Sequence, residues 1–460
     1  MAFYGREQER KRLQRFFAQN SRMAALIYGR RRVGKSELIK QSLCETDIAS
    51  IYYECRQTSE MNNVENISLL ISEKYDYPKL AFSGMEEVLD FLFRQAEKEK
   101  LIVVLDEYSY IRDTVRGMDS ILQALIDQYK DKSQLKLILC GSFVDTMKSL
   151  LLVQNPLYGR VDLTIELKPM DYYESALFYK EFSNEDKVKL YSVFGGIPYY
   201  NRLIDPGMTV KENIIELIAS PGARLETEIS MYLKSEIAKM INANEVFDAL
   251  SRGYSRYGDI LSQSHVSSGP TLADVLEKLI KMELVRKEAP INDENNRRKS
   301  GYYIMDNLSL FYYRYVFRYS SQLSVMEPEI FFERYIKEDF EEKYVPKVFE
   351  DICRQHLIRQ NRLGGLEEPF EKIGKYYYDN PKEKTNGEFD IVTWNSKGYV
   401  FYEAKFRKLP LDWKMIEKEI SQVEKSPLSC YKYGFFSKSG FEEDVKDVMM
   451  FNLEDLYEHF

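Results

Sequence analysis

Histidine, tryptophan and cysteine are scarce in this chain: 460 residues include three histidines, two tryptophans and five cysteines. Cys44, Cys55, Cys140, Cys353 and Cys430 lie far apart, are odd in number and form no CxxC pair. That excludes a disulfide scaffold and a zinc knuckle. His265, His356 and His459 are equally scattered, so zinc chemistry has no sequence support, and neither does cysteine or serine catalysis. No apolar run reaches ~18 residues, and the start, MAFYGREQERK, has no apolar leader. The expectation is a soluble cytoplasmic protein, kept reduced, with no membrane partner. Basic excess is also missing: the formal net charge is −8, so a global footprint for nucleic acid is absent and any such contact has to be a local patch.

What is present is core-forming material. Hydrophobic residues make up 44% and aromatic residues 14%, and the length calls for two or three domains. Tyrosine is abundant and clustered, at YYY 376–378 and FYYRY 311–315. With Trp394 these rings could stack bases, but core packing is the stronger expectation.

The first chemical signal is YGRRRVGKSELI, residues 28–39. It has the spacing G-x-x-x-x-G-K-S. The apolar run MAALIY (23–28) precedes it as a buried strand, and SELIKQSL starts a helix after it. Strand, glycine loop and helix are the context in which backbone amides cradle phosphates and the helix terminus adds positive field. Gly29, Arg30, Arg31, Arg32, Val33, Gly34, Lys35, Ser36 and Glu37 are the candidate ATP-binding residues. Lys35 reaches the β/γ-phosphates and Ser36 offers its hydroxyl to Mg2+. The three arginines fill variable loop positions, where their side chains are expected to point away from the phosphates.

A second signal is LIVVLDEYSYI, residues 101–111, five apolar residues running into Asp106 and Glu107. Asp106 can hold the magnesium through its water shell, and Glu107 can polarise the attacking water. LKLILCGSFVDTM (135–147) is a third buried strand. Ser142 beyond it contacts either the γ-phosphate or the lytic water, or else caps a helix. In NPLYGRVD (155–162), Arg160 is either a residue that reaches a neighbouring copy's γ-phosphate or a surface arginine.

The ordered set FYGREQERKRL, GRRRVGKSEL, LIVVLDEY, LILCGS and PLYGR, followed by VFGGIPYYN and YYIMDNLSLFYYRYVF, resembles the prokaryotic AAA+/STAND-type ATPases best known from archaea. The resemblance implies an α/β P-loop NTPase sheet that binds ATP. It assigns Gly29, Gly34, Lys35 and Ser36 to the first nucleotide motif and Asp106 and Glu107 to the second. Ser142 takes the sensor position, Arg160 the arginine finger of a homo-oligomer, and Gly5 and Arg6 a turn near the adenine.

Downstream, residues 168–204 are helical outside a break at Gly195, Gly196 and Pro198, similar to the small helical lid of such ATPases. Residues 242–306 read as three helices and a two-stranded hairpin, the pattern of a winged helix, with Arg297, Arg298 and Lys299 at the wing tip. Its third helix mixes Asp274, Glu277 and Glu283 with Lys278 and Lys281, so phosphate contacts would be few. DNA is the candidate partner, and protein docking the alternative.

The C-terminal part alternates helix, strands, helix, strand. Asp390 lies in GEFDIV, and Glu403 and Lys405 share one face of the strand GYVFYEAKF. Asp390 and Glu403 could hold Mg2+, and Lys405 could orient water at a phosphodiester. The spacing D-x12-E-x-K resembles the PD-(D/E)xK nuclease-like fold, with Glu350 as the acid from its first helix, although Asp390 follows Phe389 rather than proline. The expected layout is a P-loop ATPase core at 1–165, a helical lid at 166–235, a winged helix at 236–325 and a nuclease-like domain at 326–460. Three functions remain open: an ATPase that drives a DNA-associated effector, an ATP-licensed nuclease, and a non-enzymatic STAND-type switch.

Overall fold

The computed structural model describes residues 3–228, 231, 242–296, 299–380 and 385–458. The chain divides into two compact units, Met1–Pro169 and Met170–Phe460.

The first unit is built on strands whose sequences are nearly all apolar. These are β1 (Met23–Tyr28), β2 (Ala49–Glu54), β3 (Leu101–Asp106), β4 (Leu135–Gly141) and β5 (Leu163–Glu166). They form one parallel sheet in the order β2-β3-β4-β1-β5. Every residue of β3 and β4 is buried, as expected for central strands covered on both faces. Helices α1 (Glu7–Ala18), α2 (Lys35–Cys44), α3 (Glu60–Tyr75), α4 (Met85–Gln95), α5 (Tyr108–Thr114) and α6 (Met118–Gln128) fill the connections. Ile67, Leu92 and Leu122 from α3, α4 and α6 join Leu26, Val103 and Leu137 of the sheet in one core. Each such side chain contributes roughly 1.5–3 kcal/mol by leaving water. α3 begins at Ser59, whose hydroxyl accepts the amide of Asn62. Because all five strands run the same way, the residues following β1, β3 and β4 emerge at one edge of the sheet.

In the second unit, the helix Asn184–Phe194 is built into the interior: Tyr344 OH donates to Ser192 O (2.9 Å) and Asn307 Nδ2 to Tyr191 O (2.8 Å). The break after it needs glycine. A Cβ on Gly196 would meet Met170 O at 1.9 Å. Helices Ala243–Ser251, Tyr257–Gln263 and Gly269–Lys281 lead into a hairpin of β6 (Val285–Glu288) and β7 (Gly301–Ile304). Many tyrosines are core: Tyr313 and Tyr315 are buried, and Phe311 packs on Tyr315 and Tyr344 at 4.9 and 5.8 Å between ring centres.

After the long helix Val345–Leu363 comes a mixed sheet of β8 (Lys372–Asn380), β9 (Thr385–Asn395), β10 (Gly398–Lys405), β11 (Cys430–Ser437) and β12 (Val448–Asn452). Its order is β12-β11-β10-β9-β8. β8, β9 and β10 form an antiparallel meander, and β11 and β12 add on in parallel. Helix Trp413–Glu424 supplies Ile416 and Val423 to the core of Phe389, Val392, Phe401 and Phe435.

One buried charge ties the first unit's helices together. Asp119 accepts Tyr108 OH (2.8 Å), Arg112 Nε (2.9 Å) and Asn155 Nδ2 (2.8 Å). Asp119→Ala leaves these donors unpaired and should cost about 3 kcal/mol. Urea denaturation should show the transition of this unit moving to lower denaturant; an unchanged midpoint would contradict the role.

Candidate functional site

The loop between β1 and α2 has a shape that its glycines permit. Gly29 has φ 158°, and a Cβ there would sit 2.2 Å from Leu167 O. Gly34, with φ 92°, caps α2 in the left-handed region. Arg32 also has positive φ, 69°, without a glycine's freedom. Val33 is buried, and its carbonyl accepts Arg6 Nη2 at 3.3 Å. Arg6 also donates to Lys168 O at 2.6 Å. The turn Gly5–Arg6, both residues at positive φ, therefore braces the loop from outside.

Lys35 is buried and curls over its own loop. Its Nζ donates to Gly29 O (2.9 Å), Arg30 O (3.0 Å) and Ser142 Oγ (2.9 Å). Burial lowers its pKa, and the nearby charges of Glu107 and Asp106 offset this only in part. The Arg30 side chain is buried, Arg31 is exposed with its guanidinium 5.5 Å from the Phe143 ring centre, and Glu37 is exposed.

Asp106 ends β3 directly opposite the loop. Ser36 Oγ donates to its Oδ2 at 2.6 Å, Tyr52 OH donates to the same oxygen, and Glu107 N donates to Oδ1 at 2.9 Å. Burial acts to raise this carboxyl, but hydrogen bonds from the Cys140 thiol, Ser36, Tyr52 and the Glu107 amide outweigh it and hold it below the usual range. Glu107 has φ 51°, which turns its carboxylate toward Ser142. Ser142 Oγ donates to Glu107 Oε1 at 2.6 Å, and its amide to Oε2 at 3.3 Å. Lysine, serine and glutamate thus form one chain. Ser142 is committed to that chain and not to capping: the helix Val144–Ser149 starts at Phe143 without a side-chain cap.

Arg160 does not join them. Its guanidinium is bidentate on Asp127, at 2.9 and 2.7 Å, and donates to Pro156 O and Tyr158 O. That bond holds Asp127 below the usual carboxylate range. Arg160 precedes β5, where Asp162 N bonds Ala24 O at the start of β1. It therefore stands roughly a strand length, ~15–20 Å, from the loop of its own chain. Only a second copy could bring it to such a loop.

The second unit brings Glu350 and Asp390 together and sets Glu403 and Lys405 on the adjoining strand, with two further lysines, Lys347 and Lys375, that belong to no sequence motif. The β9–β10 register ends at Ile391 opposite Tyr402, and one step further sets Asp390 beside Glu403. Lys347 Nζ, from the same helix as Glu350, lies 2.6 Å from Glu350 Oε2 and 2.9 Å from Asp390 Oδ1. Lys375 Nζ holds Asp390 Oδ1 at 2.6 Å and Glu388 Oε1 at 2.7 Å. Lys405 bridges Glu403 (2.7 Å) and Glu419 (3.0 Å). Burial pushes Glu350 up to about 7, with Lys347 pulling against it and Asp390 adding to it. Burial also works against the Asp390 carboxylate, yet Lys375 and Lys347 hold it down at about 2. Among the described residues, no group of three or more His, Cys, Asp or Glu is gathered so as to hold a metal ion. A cavity of about 360 Å³ reaches from Glu350 and Asp390 to Tyr303 and Arg286 of the hairpin.

The hairpin's outgoing segment is engaged as well. Ile291 N donates to Lys375 O (2.7 Å), while Asn292 accepts the amide of Tyr377 (3.2 Å) and donates to its carbonyl (2.8 Å). It covers the edge strand β8, an arrangement that hides unpaired backbone groups. Lys299 lies over the Tyr377 ring at 4.6 Å. Arg297 and Arg298 lie outside the described residues. On the preceding helix, Lys278 pairs with Asp274 and Lys281 with Glu277, both at 2.7 Å.

Residues 3–202 match an ATPase domain predominantly from Archaea, and residues 312–422 match archaeal and bacterial proteins of unknown function. Over 460 residues the chain is 27% identical to an uncharacterized protein of Methanocaldococcus jannaschii, across 98% of this chain and 99% of that one. A second uncharacterized protein of that archaeon is 28% identical over 82 residues, 18% of this chain and 79% of its own. A solved Walker-type ATPase of Pyrococcus abyssi has a TM-score of 0.51 at 21% identity, over 68% of this chain and 96% of its own. The likeness shows a P-loop ATPase fold. No helix among the described residues is long and apolar enough to cross a membrane.

Glu350 gives the second cluster a measurable signature. Its folded pKa of about 7 stands above its ordinary 4.5, so the folded chain keeps a proton that the unfolded chain releases. Stability from this group is present below pH ~4.5, declines as pH rises to ~7 and stays lower above that. The Asp390 shift runs the other way and acts only near pH 2–4. Glu350→Gln should therefore flatten the loss of stability between pH 5 and 8 in urea denaturation. Parallel pH profiles for the two proteins would rule out the buried carboxyl.

Proposed function

We propose that this protein binds and hydrolyses ATP at the edge of its first sheet, and that nucleotide state controls the second unit. The single observation that carries this reading is the connected set Lys35, Ser142, Glu107, Asp106 and Ser36, in which each member is one hydrogen bond from the next group or its backbone. The loop's amides and the start of α2 favour phosphate oxygens. Lys35, now spent on loop carbonyls, is placed to move to the β/γ-phosphates.

Ser36 and an ionised Asp106, 2.6 Å apart, are hard oxygen donors that suit Mg2+, which would supply charge neutralisation of the phosphates when bound. Glu107 is the residue to accept the proton of the attacking water. Ser142 holds it until the γ-phosphate competes for the hydroxyl. Arg160 as a finger acting in a second copy's site is part of the same proposal, and requires it to leave Asp127.

A second reading concerns the C-terminal α/β sheet. The order of helix, antiparallel meander, helix and parallel strand, with Asp390 beside Glu403 and Lys405, favours a PD-(D/E)xK-like module that cleaves or contacts nucleic acid. Lys347 and Lys375 occupy the carboxylate oxygens that a cation would need, so such a site has to exchange ammonium groups for Mg2+ before acting. The three preceding helices and hairpin are proposed as a winged helix. Its docked hairpin and self-paired third helix favour an intramolecular, protein-facing role over groove reading.

Lys35→Ala should weaken ATP binding about 100-fold or more, and Glu107→Gln should leave binding intact while turnover falls about 100-fold. Filter binding and phosphate release separate the two. Wild-type turnover in Lys35→Ala would sink the ATPase reading. For the second reading, Mg2+-dependent cleavage of single- or double-stranded DNA should vanish in Asp390→Ala; a wild-type chain that cuts neither, with ATP supplied, would leave the module as a contact surface.

A further inference from the structure

Tyr52 stands outside every motif in the sequence, yet its hydroxyl reaches the centre of the nucleotide site. It projects from β2, separated from β1 by β3 and β4, and donates to Asp106 Oδ2, the oxygen that also receives Ser36 Oγ. The Lys40 ammonium lies 5.1 Å from its ring centre, so the ring is held between α2 and the end of the sheet. β2 aligns Glu54 with Asp106 and Tyr52 with Val104, which puts the tyrosine one side-chain repeat behind the acid and lets only a long side chain reach it.

The double use of one oxygen has a consequence. A loop serine of this kind turns its hydroxyl to the cation when nucleotide binds. Asp106 Oδ2 then loses the Ser36 hydrogen bond at the moment when the carboxylate has to hold its direction. The Glu107 amide fixes the other oxygen, Oδ1, and the Cys140 thiol that also reaches the carboxylate is a weak donor. The Tyr52 and Ser36 hydroxyls also interact with each other, but Tyr52 belongs to a strand that takes no part in the loop, so its anchor stays in place when Ser36 turns away.

Resting on the ATP-site reading above, we propose that Tyr52 is a positioning residue that keeps Asp106 aimed at the Mg2+ water shell when Ser36 leaves it. Its contribution belongs to the cation-dependent part of nucleotide binding and not to the phosphate cradle. Phenylalanine preserves the ring, its packing and the Lys40 contact, and deletes only the hydroxyl.

The test is calorimetric titration of ADP into the full chain at graded Mg2+, and again in EDTA. Tyr52→Phe should raise the Mg2+ concentration for half-maximal enhancement of ADP affinity about 5- to 10-fold, with affinity in EDTA unchanged. Mn2+ bound with ADP, followed by electron paramagnetic resonance, should show the same weakening without reference to turnover. Equal Mg2+ dependence in both proteins overturns the proposal. So does an equal loss of affinity with and without Mg2+, which marks a merely structural hydroxyl. A wild-type chain that binds no ADP under either condition would remove the nucleotide reading itself, and the proposal with it; that outcome is distinct because it appears before any substitution is made.

Discussion

The hydrogen bond from Ser36 to Asp106 is the constraint on which the first unit's chemistry depends. It joins the first turn of α2 to the last residue of β3, although β1 and β3 are not neighbours. β4 lies between them, so the two strands are about 9–10 Å apart at their ends. The contact forms because α2 starts above the sheet edge and leans across the end of β4. The residue that β4 offers there, Ser142, is consequently the one between Lys35 and Glu107. The strand order puts a hydroxyl at the midpoint of a cation and a base, where it can serve one and then the other.

The same geometry explains the charge balance. Lys35 is buried with two carboxylates near it, and the unlike charges keep one another soluble in a low-dielectric edge. In the proposed ATP site a polyphosphate would bring its own negative charge to that lysine and compete with serine for it. The second unit solves the problem differently. Its carboxylates draw ammonium groups from a helix and two strands, Lys347, Lys375 and Lys405, and each ammonium serves two acids. A cluster whose carboxylates each already hold an ammonium offers an outside cation few uncovered oxygens.

Legibility in the sequence followed the range of the interactions. The glycine loop and the acids after LIVVL are local patterns whose chemistry depends on neighbours a few residues away, and the strand and helix around them were readable from apolar runs. β5 and β12 leave no clear apolar run, because LTIE is short and half-exposed and no residue of VMMFN is fully buried. Tyr52 carries no local sequence signal because its partner lies 54 positions away across a strand pair. Lys347 belongs to no motif, and only the fold brings it to Asp390, 43 residues later. For Arg160 the sequence leaves an arginine finger and a surface arginine open, because its partner Asp127 lies 33 residues earlier on another element.

Arginine and lysine counts alone would also mislead about nucleic acid. A phosphate contact gains affinity by releasing counterions, and a lysine already paired with a carboxylate has few to release. On the helix Gly269–Lys281 both lysines of the last turn are satisfied by acids four residues earlier, and Lys299 is spent on a tyrosine face. The hairpin beside them completes an exposed strand edge with the backbone of Ile291 and the side-chain amide of Asn292. To read a groove it would have to uncover β8 and leave that strand's polar groups unpaired. The two tasks compete for Ile291 and Asn292, so groove contact by these two residues and closure of the C-terminal sheet exclude each other.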